Sequence, residues 1–194
     1  MPPERLEPQL LMLRPTLEHL PAVDVPPGYR IRALRPDEGL AWERISDEVF
    51  ETHYDFAQKM LSDAAYKPGR VLVATTDDDE PVATASAWFR ATYGASVGYL
   101  HMVGVRTAHR GRRLGYHLSL AVLHRLREEG FTSAVLRTDD ARLAAIRTYL
   151  HLGFEPRIVD ENQRGRWRAI AQTMEMTQEF SRRFAATLDG PMYA

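Results

Sequence analysis

The chain has 194 residues, 44% of them apolar and 26% charged, enough for one soluble domain with a sizeable core. Its 25 basic and 26 acidic residues leave a formal net charge of -1, which excludes a general attraction to nucleic acid. The absence of cysteine removes disulfides, thiolate metal sites and cysteine nucleophiles.

From Met1 to Leu20 the apolar residues are interrupted by Glu4, Arg5, Glu7, Arg14 and Glu18, unlike a signal peptide. No stretch approaches the roughly 20 apolar residues of a membrane span. The expectation is a soluble cytoplasmic protein with no membrane partner. Residues 1–28 read as an extension rich in proline (Pro2, Pro3, Pro8, Pro15, Pro21, Pro26 and Pro27): either a disordered tail, or one in which Gln9 to Leu13 forms a short strand or an apolar tether. Tyr29 to Leu34 alternates as a strand. Pro36-Asp37-Glu38 suits the first turn of a helix that runs to about Phe50 and turns Leu40, Trp42, Ile45 and Val49 inward. A second helix is expected from Tyr54 to Ala65.

Arg70 to Thr76 and Pro81 to Arg90 read as a hairpin around the acidic turn Asp77-Asp78-Asp79-Glu80. That turn lacks the glycine and distal glutamate of a calcium loop and reads as solvated. A further strand follows from Val97 to Val105. A long amphipathic helix, Leu114 to Glu129, carries Leu118, Val122, Leu123 and Leu126 at helical spacing and stops at Gly130. Thr132 to Thr138 is a β-branched strand, and Ala141 to Leu152 a helix closed by Gly153. Phe154 to Arg157 and Trp167 to Met176 read as late strands joined by the polar loop Asp160 to Arg166. The order predicts a mixed α/β (α+β) layer fold, with a mostly antiparallel mixed sheet flanked by helices. Its domain is placed at 29–176, followed by a tail or helix at 177–194. The apolar segments Leu10 to Leu13 and Phe180 to Leu188 are candidates for a homodimer surface.

The chemistry concentrates where the strand ending Val103-Gly104-Val105 leads through Arg110-Gly111-Arg112-Arg113-Leu114-Gly115 into the long helix. A helix N-terminus offers free backbone N–H groups and a positive dipole end, glycines allow close approach, and arginines add donors for phosphate oxygens. Gly104 is read as the mark of a bulge that splays the strand, leaving backbone groups to pair with an amide-bearing ligand such as pantetheine.

These residues resemble the pyrophosphate motif of the GCN5-related N-acetyltransferases: Gln or Arg, two residues, Gly, one residue, Gly or Ala. Arg110 and Gly115 match its ends, and Arg113 stands at the middle glycine. Ala145 to Phe154 resembles that family's helix ending in tyrosine, a few residues, Gly-Phe; an asparagine usual seven residues before the tyrosine is here Arg142. The resemblance covers about Tyr29 to Met176 and implies an acetyl-CoA-dependent N-acetyltransferase. Such an enzyme moves the acetyl group directly to an amine of a small molecule or peptide within a ternary complex. It implies coenzyme contacts at Met102, Val103, Val105, Arg110, Gly111, Arg112, Arg113, Leu114, Gly115, Arg142 and Tyr149. It also implies that the Tyr149 phenol protonates the departing thiolate and that the Val103 N–H receives the oxyanion.

For the base, Tyr99, His101 and Val103 alternate on one strand face, and some family members place the base at the first two positions. His101 is the candidate, with the near-neutral pKa ordinary for histidine; the resemblance equally allows no dedicated base, the amine then arriving already deprotonated through water. His109 lies in the cradle loop, within expected reach of phosphate, while His117 and His124 read as surface or boundary residues. No histidine spacing suggests a metal, and no metal is expected. Glu48, Glu51, His53, Tyr54 and Trp88 are expected around the acceptor, their carboxylates attracting a cationic amine. Two other readings stand: a non-catalytic acyl-CoA sensor or assembly module of the same fold, and a nucleic-acid module using Arg106, Arg110, Arg112 and Arg113. The near-zero net charge and lack of interleaved aromatics disfavour the last.

Overall fold

The computed structural model describes residues 8–193, so Pro2, Pro3, Glu4, Arg5 and Glu7 lie outside the described range. The chain divides into two compact units: residues 15–135 form one, and residues up to 14 together with those from 136 onward form the other.

The 15–135 unit holds β2 (Tyr29–Ala33), β3 (Val71–Thr76), β4 (Pro81–Phe89) and β5 (Val97–Val105), paired antiparallel in that succession. The first half of β6 (Ser133–Thr138) also belongs to it and pairs in parallel with β5, Val97 to Tyr99 against Ser133 to Val135. The valine-rich centre of β3 and the small residues of β4 are buried on both faces, because α1 (Gly39–Phe50) and α2 (Leu114–Glu128) both pack on this part of the sheet. Trp42, Phe56, Met60, Ala65, Val71 and Trp88 form a core cluster there. The acidic hairpin tip is tied down: Asp79 accepts from Arg32 Nε at 2.8 Å and from Arg35, while Glu38 receives both terminal nitrogens of Arg32 at 2.7 Å.

Two helical expectations are corrected here. α1 starts only at Gly39, after Pro36-Asp37-Glu38, and it buries Ala41, Trp42, Ile45 and Ser46. Leu40 is 68% exposed, since at about 100° per residue it lies on the far side of the helix from Trp42. The expected helix from Tyr54 to Ala65 is reduced to one π-helical turn, Ala57–Leu61. Carboxylates of α1 hold the approach to that turn: Asp47 accepts the Tyr54 N–H at 3.1 Å and Glu43 the Phe56 N–H at 2.8 Å. The proline-rich stretch after Arg14 is also anchored. Leu17 is buried with its N–H bonded to the Thr132 carbonyl, and His124 Nε2 meets the Pro21 carbonyl at 2.7 Å.

In the other unit β1 (Leu10–Arg14) pairs antiparallel with β7 (Glu155–Arg157), and α3 (Leu143–His151) ends before Gly153, whose φ of 79° makes the turn glycine is suited to. The expected late strand at Trp167 to Met176 is overturned: Asn162–Thr173 is α4, followed by α5 (Thr177–Asp189). Trp167, Ile170, Ala171 and Met174 are buried at helical spacing, and Trp167 stacks on Phe180 with centroids 5.8 Å apart. The segments considered for a homodimer are already covered. Leu10, Leu11 and Met12 are buried, as are Phe180, Phe184 and Leu188. The fold class stands as read: mixed α/β, mostly antiparallel strands, flanking helices. Among the described residues no helix is long and apolar enough to cross a membrane.

Candidate active site

β5 carries the irregularity that shapes the site. Ser86 faces His101 and Thr84 faces Gly104, so between these pairs β5 has one residue more than β4. The extra residue is accommodated at Met102, whose φ is 50°. Gly104 is therefore not the bulge residue. It is small for another reason: a Cβ there would come within 3.2 Å of Val49 Cγ2 on α1. The bulge also corrects the expected alternation. His101 and Gly104 sit opposite Ser86 and Thr84, two residues apart on β4 and hence on one face, so Val103 falls on the opposite face from Tyr99 and His101. Parallel pairing with β6 ends at Tyr99, and Met102 and Val103 stand outside the β4 register.

On the α1 face the rings form a chain. Tyr93 lies 5.8 Å from Tyr99, Tyr99 stacks on His101 at 5.0 Å, and His101 lies 5.8 Å from Trp88. Burial, and beyond it the charges of Arg90 and Lys59, push His101 down to about 3. Its surroundings thus favour the neutral imidazole over the charged form. Asp63 caps the same cluster, accepting from Trp88 Nε1 at 3.2 Å and pairing with Arg90 at 2.8 Å. Burial works to raise its pKa, but the bonds from Arg90, the Ala65 N–H and Trp88 outweigh it and bring Asp63 to about 2.

The cradle follows directly. Arg106 leaves β5, Thr107–His109 makes a 3-10 turn, and Gly111 takes φ 79°. Arg113 then adopts the left-handed conformation (φ 59°, ψ 16°) as the N-cap residue of α2. The arginine at the motif's middle glycine thus assumes the backbone shape that glycine serves elsewhere, at a cost of about 1–2 kcal/mol. No side chain caps α2; its first bonds are Tyr116 and His117 N–H to the Arg113 carbonyl, so the N–H groups of Leu114 and Gly115 remain at the helix mouth. Arg110 Nε bonds the Val105 carbonyl at 3.3 Å, and Arg112 the Ala108 carbonyl at 2.6 Å. His109, expected near phosphate, gives Nδ1 to the Tyr29 hydroxyl at 2.9 Å. His117 is buried in the first turns of α2, and burial, then Arg113, lowers its pKa.

The residues expected around the acceptor are dispersed in role. Trp88 is core, and His53 pairs with Asp47 at 2.9 Å, which raises the histidine. Glu51 is exposed in the left-handed C-cap of α1, and Tyr54 lies under the Lys59 ammonium, 4.9 Å from its ring centre. Glu48 is engaged by Arg106 and the Thr107 N–H. Sequence reasoning did not single out Asp63, Arg90 or Lys59, whose relation to His101 arises only in the folded chain.

The 15–135 unit therefore assembles Tyr99, His101, Met102, Val103, Val105 and Arg110 to Gly115 along one strand–loop–helix segment. Tyr149 and Arg142 belong to the other unit. Tyr149 is buried on α3 with its ring edge-on to Phe154, 6.0 Å away, and Arg142 precedes α3 and pairs with Asp139 at 3.1 Å. Among the described residues no group of three His, Cys, Asp or Glu is arranged to hold a metal ion.

Comparison with known proteins bears on this segment. The sequence model of the acetyltransferase (GNAT) family matches residues 32–154. The mycothiol acetyltransferase of Sanguibacter keddieii is 32% identical over 158 residues, which is 75% of this chain and 49% of that protein. That of Rhodococcus erythropolis is 29% identical over 166 residues, 78% of this chain and 56% of the relative. The chain spans about half the length of these curated relatives. Among solved structures, a GCN5-related N-acetyltransferase from Sphaerobacter thermophilus superposes with a TM-score of 0.61 at 23% identity, over 78% of this chain and 50% of that one. A GNAT family N-acetyltransferase from Escherichia coli, solved in complex with CoA, gives 0.56 at 21% identity, over 70% and 73%. Both likenesses are of fold. With the family match spanning well over half of its residues, the chain belongs to the acetyltransferase (GNAT) family.

Proposed function

We propose that the protein is an acetyl-CoA-dependent N-acetyltransferase acting on an amine of a small molecule or peptide, with residues 29–176 as its catalytic domain. The observation that carries this reading is the α2 mouth, with Arg113 turned left-handed and no side chain on the first N–H groups, directly after the bulged end of β5. A pyrophosphate suits that mouth: it would receive the N–H groups of Leu114 and Gly115, with Arg110 and Arg112 as cationic donors. The pantetheine arm would run along β5 beyond its pairing with β6.

In the reaction the amine nitrogen attacks the thioester carbonyl carbon. The oxyanion forms at the Val103 N–H, the carbon–sulfur bond breaks, and the thiolate leaves with a proton from the Tyr149 hydroxyl. The role of Tyr149 rests on its place in the family's tyrosine, Gly-Phe helix end. Since His101 is a weak base, the amine sheds its proton to water before or during attack, and Tyr99 and His101 serve as the wall against which the acceptor lies. No metal enters this scheme. The absence of cysteine fits a reducing compartment, and we read the protein as cytoplasmic. The relatives named mycothiol acetyltransferase make an acceptor related to mycothiol the first to test.

Calorimetric titration with acetyl-CoA, followed by a thiol-release assay over an amine panel, tests the reading. Binding with turnover is the expected result. Absence of binding at millimolar acetyl-CoA would sink it, and binding without turnover on any amine would favour the sensor or assembly alternative.

A further inference from the structure

The segment between β5 and the α2 mouth is held from outside by residues that no phosphate motif includes. Glu48, near the C-terminal end of α1, accepts the Thr107 N–H on one carboxylate oxygen at 2.5 Å and Arg106 Nε on the other at 3.0 Å. Arg106 also reaches Glu80 in the β3–β4 turn at 2.8 Å. At the far end of the same 3-10 turn, Tyr29 on β2 holds His109 through its hydroxyl. Three elements of the 15–135 unit thus grip Arg106 to His109, the residues that set the direction in which the chain enters Arg110 to Gly115.

We infer that Glu48 is a positioning residue for the coenzyme: it fixes the entry to the phosphate cradle and does not attract the acceptor amine. The inference rests on the coenzyme reading above. The bond from the Thr107 N–H, which first among its contacts holds the Glu48 carboxyl below the ordinary range, keeps that acceptor ionised across the working pH. An ion pair between side chains as exposed as Glu48 and Arg106 contributes little alone. A backbone N–H bonded to a charged acceptor contributes more, about tenfold in an equilibrium constant. Without Glu48 the turn must be ordered when the pyrophosphate arrives, so its ordering cost moves into the binding step.

The experiment measures the CoA dissociation constant by calorimetry for the wild type, Glu48→Gln, Glu48→Ala and Tyr29→Phe, with amide hydrogen exchange on the ligand-free proteins. The glutamine variant keeps an oxygen for Thr107 but loses the charge. Expected losses of affinity are about threefold for Glu48→Gln and about tenfold for Glu48→Ala. Faster exchange should be confined to Thr107, His109 and Arg110. Affinity within twofold of wild type in Glu48→Gln overturns the inference even if Glu48→Ala does not fold. Faster exchange throughout α2 in either variant also overturns it, since Glu48 would then serve general stability. If the wild type binds no CoA, the coenzyme reading itself fails and this inference falls with it. If the wild type binds and the variants match it, only the positioning role is lost.

Discussion

Val49 of α1 lies directly over Gly104 of β5, so closely that a Cβ at Gly104 would be 3.2 and 3.3 Å from the two methyl carbons of the valine. At this point only the Val49 side chain separates the helix from the strand, just beyond the bulge at Met102. Gly104→Ala should therefore lower stability by about 1–3 kcal/mol through overpacking. Combining it with Val49→Ala should recover part of that loss, because the two residues are in contact and their effects are coupled. Urea unfolding of the two single variants and the double variant measures this; strict additivity would mean that the contact is not the cause.

Arg113 offers a test of local backbone strain. Arg113→Val should destabilise the protein by about 1–2 kcal/mol, since a β-branched residue fits the left-handed region poorly. Arg113→Gly should stay within about 1 kcal/mol of wild type, relief of strain being offset by the freedom glycine gains in the unfolded chain. Equal losses in both variants, read from denaturant midpoints, would show that the arginine side chain rather than its φ controls stability.

The depressed histidine makes a pH prediction of definite sign. His101 is ordinary in the unfolded chain but falls to about 3 when folded, so below pH 6.5 the unfolded state binds a proton that the folded state refuses. The stability contributed by a neutral His101 is complete above about pH 6.5 and drains away as the pH falls toward 3. His101→Asn should show a flatter decline of stability with acid over that window. A wild type and variant running parallel from pH 7 to pH 4 would contradict the lowered value.

Tyr149→Phe separates proton donation from coenzyme binding. Turnover should fall by about 100-fold or more, the usual contribution of a positioned acid, while the dissociation constant for CoA stays within about twofold. Solvent supplying the proton equally well would appear as unchanged kcat, and Tyr149 would then leave the mechanism.

Much of this arrangement was readable in the sequence because the signals were local. The limits of β5 coincide with the expected strand from Val97 to Val105, and α2 begins at Leu114, where the expected amphipathic helix begins. Trp167 to Met176 failed for a different reason. Trp167, Ile170, Ala171 and Met174 carry a helical repeat, but apolar and branched residues close together mimic a short strand when the repeat is not counted. The bulge was legible only in part. Gly104 drew attention to the right place, whereas the extra residue is Met102, and nothing in its chemistry announces a positive φ. The weak basicity of His101 was not legible at all, because Trp88, Arg90 and Lys59 surround it only after folding.

The inserted residue at Met102 splits β5 into two independent addresses. Before it, Tyr99 and His101 are written on the side of α1; after it, Val103 and Val105 are written on the other. A change of side chain at Tyr99 or His101 can thus alter the surface beside the aromatic chain while the backbone leading into the cradle keeps its course.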